Sequence, residues 1–113
     1  MPVKTTSMQL GHHTVITVKE PVNHQNCKEL EASVLGALGK SHRAVILECK
    51  EVGYLDSAAL EMLLRLQDAI KERGSQVKLV GLNELCRDIM IVTRLINQFN
   101  VYSSVPEAVK EPS

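Results

Sequence analysis

An α/β domain with a largely parallel sheet is the fold class that this sequence predicts. Short apolar runs typical of buried strands alternate along the chain with stretches whose apolar residues recur at helical spacing. Such alternation is typical of β-α-β units, in which helices cover parallel strands. The chain has 113 residues, 44% of them apolar, which suits one compact domain and is too short for two. We expect a mixed sheet of four to five strands with helices packed on it.

The first half of the chain predicts a hairpin, a helix and a central strand. Two β-prone stretches within residues 8–18 flank Gly11, a pattern typical of a hairpin. Residues 27–38 place their apolar side chains on one helical stripe, which Gly39 would end. Residues 43–49 form a compact apolar run typical of a strand covered on both faces. We therefore expect this strand at the centre of the sheet.

The second half predicts two further helices and two strands. Residues 58–73 have a wide apolar stripe opposite charged positions, and Gly74 supplies a C-cap. A short strand follows at 77–81, and Asn83 starts a helix predicted to run from 85 to about 98. We expect the core-facing stripe of that helix to consist of Leu85, Ile89, Val92 and Ile96. The chain closes with a strand around 101–102 and a helical turn after Pro106.

Composition excludes several classes of function. Lys plus Arg equal Asp plus Glu at 13 each, so no positive field favours nucleic acid. No apolar run approaches the roughly 20 residues that span a bilayer, and residues 1–7 lack the apolar region of a signal peptide. The three cysteines, Cys27, Cys49 and Cys86, have neither zinc nor redox spacing, and we interpret them as small buried hydrophobes. A reducing, cytoplasmic location fits best.

No catalytic or metal motif is complete. Residues 36–41 contain Gly-Lys-Ser, but a phosphate-binding loop needs its first glycine where Val34 stands and a strand before it. The four histidines form no pair at helical spacing for a metal, and no Gly-x-Ser-x-Gly elbow exists for a serine hydrolase. We therefore expect neither an enzyme nor a metal site.

The polar pair Asp56-Ser57 stands between a strand region and the start of the helix at 58–73. Asp and Ser are favoured N-cap residues because their oxygens accept hydrogen bonds from free N–H groups of the first helical turn. The simplest interpretation is a helix cap. A hydroxyl at a helix start is also suited to a phosphorylation switch, since a phosphate there adds almost two negative charges.

The sequence around this pair resembles the signature of the STAS domain family, and within it the bacterial anti-sigma factor antagonists. Residues 55–60, Leu-Asp-Ser-Ala-Ala-Leu, are similar to an apolar-Asp-Ser-Ser/Ala-Gly-Leu signature, with Ala59 where the family usually has glycine. The strands at 45–47 and 77–82 and the tail over 93–109 also resemble the family. The resemblance covers about residues 8–109, which implies a single STAS-like domain over 1–113 with flexible termini.

The resemblance implies a phosphorylation switch. Ser57 matches the serine that a partner anti-sigma factor, itself a serine kinase, phosphorylates in family members, and Asp56 matches the acidic neighbour that shapes that site. In the implied cycle the unphosphorylated protein captures the anti-sigma factor and frees the sigma factor. Phosphorylation breaks the complex, and a serine phosphatase resets it. Such a protein is bound and modified but catalyses nothing, and it needs no cofactor.

We expect the partner surface to combine the junction, the first turn of its helix and the helix predicted at 85–98. An apolar patch on that last helix would indicate a partner or homodimer contact, and deeper burial is the alternative. The expected contact residues are Asp56, Ser57, Ala58, Ala59, Glu61, Arg87 and Met90.

An unphosphorylated scaffold, or an accessory subunit of a transport or signalling complex, is the competing function. Some STAS domains have such roles, and for them the serine need not be modified. The methyl group of Ala59, absent from the usual glycine, could obstruct a partner or a kinase. Whether Ser57 is modified and exposed separates the two functions.

Overall fold

The hairpin at the start of the chain forms one edge of the sheet in the computed structural model, which describes residues 4–37 and 44–110. Strands β1 (Thr5–Leu10) and β2 (His13–Val18) pair antiparallel, with Ser7 opposite Ile16. Gly11 in the turn has a φ of +62°, which glycine adopts without a steric penalty. The predicted hairpin is confirmed.

Three parallel strands complete a five-stranded mixed sheet. They are β3 (Ala44–Glu48), β4 (Val77–Val80) and β5 (Asn100–Tyr102), and the strand order is β1-β2-β3-β4-β5. β2, β3, β4 and β5 run parallel to their neighbours in that order. β3 lies at the centre and its first four residues are buried, as its uninterrupted apolar run predicts.

Helices cover both faces of the sheet. They are α1 (Cys27–Ala37), α2 (Ser57–Glu72), α3 (Glu84–Val92) and α4 (Val105–Lys110), with a 3-10 turn at Ile96–Gln98. Apolar residues of α1, α2 and α3 join one face of the sheet in the main core, and α4 covers a smaller cluster on the other face. The predicted end of α1 at residues 38 and 39 lies outside the described residues, as do all three residues of Gly-Lys-Ser.

A buried lysine joins α4 to the sheet. Lys78 on β4 is 0% exposed, and its Nζ donates a hydrogen bond to the carbonyl of Ala108 at 2.6 Å. The same ammonium group lies 5.5 Å from the centre of the Tyr102 ring. Because cations favour the carbonyl end of a helix, Lys78 stabilises the short α4 in its place.

The cysteines are buried in the main core as free thiols, as expected for small hydrophobes. Burial, helped by the neighbouring Cys86 and Glu48, raises the pKa of the Cys49 thiol to about 12. A thiol with so high a pKa is not a nucleophile at neutral pH.

The third helix ends earlier than predicted. The sequence predicted a helix to about residue 98, whereas α3 ends at Val92. Arg94 adopts a left-handed φ of +62°, its N–H donates to the Ile91 carbonyl, and the Leu95 N–H donates to the Met90 carbonyl at 2.8 Å. These are the two bonds of a Schellman ending, which glycine usually makes and so signals in a sequence. An arginine there gives no such signal.

The buried face of α3 also differs from the prediction. Cys86 and Met90 are its buried residues. Of the predicted stripe, Ile89 and Ile96 pack against the core, whereas Leu85 is 53% and Val92 77% exposed. Both sets recur at helical spacing, so periodicity alone cannot choose between them. The rotation of the helix is set where it begins: Asn83 Nδ2 donates to the Val52 carbonyl, and the Cys86 thiol lies 3.4 Å from the same oxygen.

Candidate functional site

The candidate site lies at the carboxyl edge of the parallel strands, where the loops that leave β2 and β3 meet. Val22 and Leu55 form an isolated parallel bridge between these loops. The Val22 N–H donates to the Tyr54 carbonyl at 3.2 Å, and the Asp56 N–H donates to the Val22 carbonyl at 3.3 Å. The backbone that presents Asp56 is thus fixed before α2 begins. Carboxyl edges of this kind are the usual place for function in α/β proteins.

Asp56 is the N-cap of α2 and also holds the loop after β2. Its Oδ1 accepts a hydrogen bond from the Ala59 N–H at 2.9 Å, and its Oδ2 accepts one from the His24 N–H at 2.8 Å. The His24 ring Nδ1 lies 3.4 Å from the same Oδ2. Both carboxylate oxygens therefore face N–H donors, which a carboxylate satisfies and a neutral amide cannot.

These contacts favour the ionised form of Asp56. Burial alone would raise the pKa of its carboxyl, but the N–H groups of Ala59 and His24 outweigh burial and hold the pKa below its usual range. The His24 side chain acts in the same direction. A fixed negative charge therefore stands at neutral pH beside the first residue of α2.

Ser57 is that first residue, and its side chain is exposed. The sequence left open which of Asp56 and Ser57 caps the helix, and the structure assigns the cap to Asp56. Because the cap bond is made by its neighbour, the Ser57 hydroxyl is free of that task. A hydroxyl held on a fixed backbone and open to solvent can be modified without unfolding the helix.

Of the other residues expected on the partner surface, some are accessible and two are not. Glu61 and Arg87 are exposed, and Ala58 is half-buried. Ala59 and Met90 are both 0% exposed, so their expected contact with a partner is corrected: each points into the core. The burial of Ala59 also means that its methyl group does not stand between Ser57 and an approaching protein.

Sequence reasoning missed His24, which no motif includes. A signal was available, because a strand, a helix and a second strand were predicted in succession, and the loops at the carboxyl ends of parallel strands meet at one edge of a sheet. The loop around His24 is held by its own asparagines: Asn23 Oδ1 accepts from the Gln25 N–H, and Asn26 Oδ1 accepts from the Asn23 N–H, both at 2.9 Å. Asn23 also donates to the Tyr54 hydroxyl at 3.2 Å.

Sequence reasoning also missed the exposed side of α3. Leu85, Ile91 and Val92 are half or more exposed there, where a core stripe was expected to include Leu85 and Val92. Asn83, whose amide reaches both the Val52 and the Gly53 carbonyl, joins this helix to the loop that carries the junction. The exposed side of α3 thus belongs to a helix anchored on the Asp56-Ser57 loop.

Residues 4–37 and 44–110 contain neither a cluster of metal ligands nor a helix that could span a membrane. No group of three or more His, Cys, Asp or Glu side chains is arranged to hold a metal ion. No helix in this part of the chain is long and apolar enough to cross a membrane.

The order of elements, the mixed sheet and the Asp-Ser junction together define a known class of domain. The family model of the STAS domain matches residues 5–108, and the chain belongs to this family. The fold class predicted from the sequence is therefore confirmed.

Particular relatives carry the name of anti-sigma factor antagonists. BtrV of Bordetella bronchiseptica, provisionally given that name, is 22% identical over 102 residues, covering 90% of this chain and 88% of its own. A Thermotoga maritima structure with the same provisional name has a TM-score of 0.86 at 19% identity, covering 94% of this chain and 92% of that chain. An anti-sigma factor antagonist from Mycobacterium paratuberculosis has a TM-score of 0.82 at 18% identity, covering 95% and 91%.

The same fold occurs inside a transporter. The murine anion transporter solute carrier 26 family member A9 matches with a TM-score of 0.78 at 19% identity, covering 90% of this chain but 18% of that chain. Likeness at this level of identity shows a shared fold.

Proposed function

We propose that this protein is an anti-sigma factor antagonist that is controlled by phosphorylation of Ser57. The observation that carries the proposal is the junction: an exposed serine begins α2, while a neighbouring ionised aspartate caps the helix. The name of the relative BtrV supports the same function. The protein acts as one STAS-like domain in the cytoplasm, where it binds and is modified and has no catalytic task.

The proposed cycle has two states. With Ser57 unmodified, the protein captures the anti-sigma factor and the sigma factor is free. The anti-sigma factor, a serine kinase, transfers the γ-phosphoryl group of ATP to the Ser57 oxygen and releases ADP and the hydroxyl proton. A serine phosphatase then hydrolyses the phosphate ester and restores the first state.

Electrostatics makes the phosphate an effective release signal. A phosphoryl group brings almost two negative charges to the exposed start of α2. Facing one partner carboxylate at about 5 Å in an effective dielectric of about 40, it meets a repulsion of roughly 3 kcal/mol. That corresponds to about a hundredfold loss of affinity.

The surface that meets the anti-sigma factor comprises the junction and the accessible residues around it. Glu61 lies one turn into α2, and Arg87 is exposed on α3. Leu85 adds exposed apolar area on the same helix. Charge near an apolar contact of this kind favours a specific and reversible complex.

The experiment that tests the function uses the anti-sigma factor kinase of the host. Binding is measured by calorimetry without ATP and again after incubation with Mg-ATP, and the phosphorylated residue is located by mass spectrometry. We expect binding that falls about a hundredfold when Ser57 carries phosphate. Ser57→Ala should bind and resist release by ATP. Ser33→Ala, which removes an exposed serine on α1, is the matched control and should behave like wild type.

Two results would contradict the proposal in different ways. Capture that persists with ATP, with no phosphate on Ser57, would remove the switch. Failure to bind any anti-sigma factor of the host would remove the antagonist function. It would favour the alternative, a scaffold or accessory subunit, which is the candidate that likeness to the transporter domain supports.

A further inference from the structure

His24 lies against the carboxylate next to Ser57, and no motif of the sequence assigns it a role. Its backbone N–H donates to Asp56 Oδ2 at 2.8 Å, and its ring Nδ1 is 3.4 Å from the same oxygen. We propose that His24 is the phosphate-binding residue of this site, its protonated ring pairing with the phosphoryl group on Ser57. This inference rests on the proposed phosphorylation of Ser57 and names the side chain that contacts the phosphoryl group.

The His24 ring lies beside the residue that precedes Ser57, with its Nδ1 3.4 Å from the Asp56 carboxylate. Asp56 and Ser57 are adjacent, so their Cα atoms are about 3.8 Å apart. A phosphoryl group extends its oxygens beyond the serine hydroxyl. The His24 side chain is 73% exposed, whereas Asp56 is 31% exposed, so the ring can change rotamer without displacing packed neighbours.

The charges at the junction favour a nearby cation once phosphate is present. The Asp56 carboxylate and the phosphate would together bring almost three negative charges to the start of α2, and the helix dipole offsets only about half a charge. Within the described ranges, Asp56 is the one charged group at ion-pair distance from the His24 ring. The flanking elements also carry charged residues, none of which hydrogen-bonds or pairs with the ring: Glu20, Lys28, Lys50, Glu51 and Glu61.

An arginine at the same position carries its charge at every physiological pH and presents several N–H donors to a phosphate. If position 24 contacts the phosphoryl group, an arginine there should therefore pair with it at least as strongly as the histidine does.

The test uses phosphorus NMR on the full chain carrying phosphoserine in place of Ser57, incorporated during translation. The phosphate resonance is titrated between pH 5 and 8, a range chosen to bracket its second pKa of about 6. Wild type is compared with His24→Gln and His24→Arg. The matched control is His12→Gln, because His12 is an exposed histidine in the β1–β2 turn at the opposite edge of the sheet.

We expect the titration midpoint of the phosphate to lie about half a unit to one unit lower in wild type than in His24→Gln. His24→Arg should lie at least as low as wild type, and His12→Gln should match it. The difference should shrink in 0.5 M NaCl, since exposed charges are screened by salt. Equal midpoints in wild type and His24→Gln would overturn the proposal. It would also be overturned if His12→Gln raised the midpoint as much as His24→Gln does.

The experiment distinguishes a role of His24 in phosphate binding from a folding defect and from a failure of the proposed function. His24→Gln keeps the backbone N–H that holds Asp56, so its thermal unfolding should match wild type. Incorporated phosphoserine needs no host kinase. Absence of phosphate on Ser57 in the host would therefore overturn the proposed function while leaving the midpoint measurement to decide the role of His24.

Discussion

The caps of α2 and α3 are alike in position and differ in the partners of their second polar atom. Asp56 and Asn83 each end a loop that leaves a parallel strand at the same edge of the sheet. Each accepts a hydrogen bond from the third residue beyond it, Asp56 from the Ala59 N–H at 2.9 Å and Asn83 from the Cys86 N–H at 2.7 Å. By capping preference alone the two residue types are interchangeable.

The neighbouring loops remove that freedom. The second oxygen of Asp56 faces the His24 N–H, a donor. The amide nitrogen of Asn83 faces the carbonyls of Val52 and Gly53, which are acceptors. A carboxylate suits the first position and a carboxamide the second. The comparison teaches that the charge beside Ser57 is required by the packing of two loops, before any partner arrives.

Exchanging the cap of α3 should have the largest effect. Asn83→Asp keeps the cap oxygen but loses both amide hydrogen bonds and places a negative charge against two carbonyls. We expect the free energy of unfolding at pH 7 to fall by about 3 kcal/mol. Urea denaturation measures it.

The control for this exchange is Asn83→Ala, which loses both amide bonds and the cap bond as well but adds no charge. It should cost about 2 kcal/mol, less than Asn83→Asp. Acidification should narrow the gap, because a protonated carboxyl can donate to a carbonyl. If Asn83→Asp were as stable as wild type, the proposed difference between the two caps would be wrong.

Exchanging the cap of α2 should have an intermediate effect. Asp56→Asn keeps the bond from the Ala59 N–H but leaves the His24 N–H facing an NH2 group. We expect a loss of about 1–2 kcal/mol at pH 7, measured in the same way.

The pH dependence of this variant checks its cause. The pKa of Asp56 is lowered on folding, so its contribution to stability is present above the unfolded value of about 3.9 and is lost as the pH falls through the lower folded value. The gap between wild type and Asp56→Asn should therefore close in acid. A gap that is constant from pH 7 to pH 3 would show that ionisation of Asp56 does not stabilise the fold.

Removing the hydroxyl of Ser57 should have the smallest effect. The cap bond belongs to Asp56, and the exposed Ser57 side chain has no hydrogen-bond partner in the described part of the chain. We expect Ser57→Ala to change the free energy of unfolding by less than about 0.5 kcal/mol. A loss near 1 kcal/mol in thermal or urea unfolding would mean that Ser57, and not Asp56, caps the helix.

Local pattern was sufficient for most of the fold. The hairpin around Gly11, the buried central strand and the amphipathic α2 ending at Gly74 are all visible because their signals lie within a few residues. At Gly74 the structure shows the two expected bonds, from its own N–H to the Lys71 carbonyl and from the Ser75 N–H to the Ile70 carbonyl. The Asp-Ser pair at the start of α2 was recognised for the same reason.

The spacing of apolar residues did not predict the buried face of α3, because two faces of that helix fit the spacing equally well. The α3 sequence offers two apolar faces at the same spacing, and contacts of Asn83 and Cys86 with the Val52 carbonyl select the face that bears Met90. Helix α3 ends because Arg94 adopts a left-handed φ, a conformation that is usually expected at glycine. Predicted partner contacts at Ala59 and Met90 failed because burial is a property of the assembled sheet and helices.

By itself, the sequence determined the α/β class, the order of elements and the junction that carries Ser57, because periodicity, capping residues and glycines act over one or two turns. Only the tertiary structure decided which side of α3 faces the core and that His24 meets Asp56. Those contacts join residues about thirty positions apart, and no local preference encodes them. Their energies arise when parallel strands place their loops at one edge, where each donor must meet an acceptor.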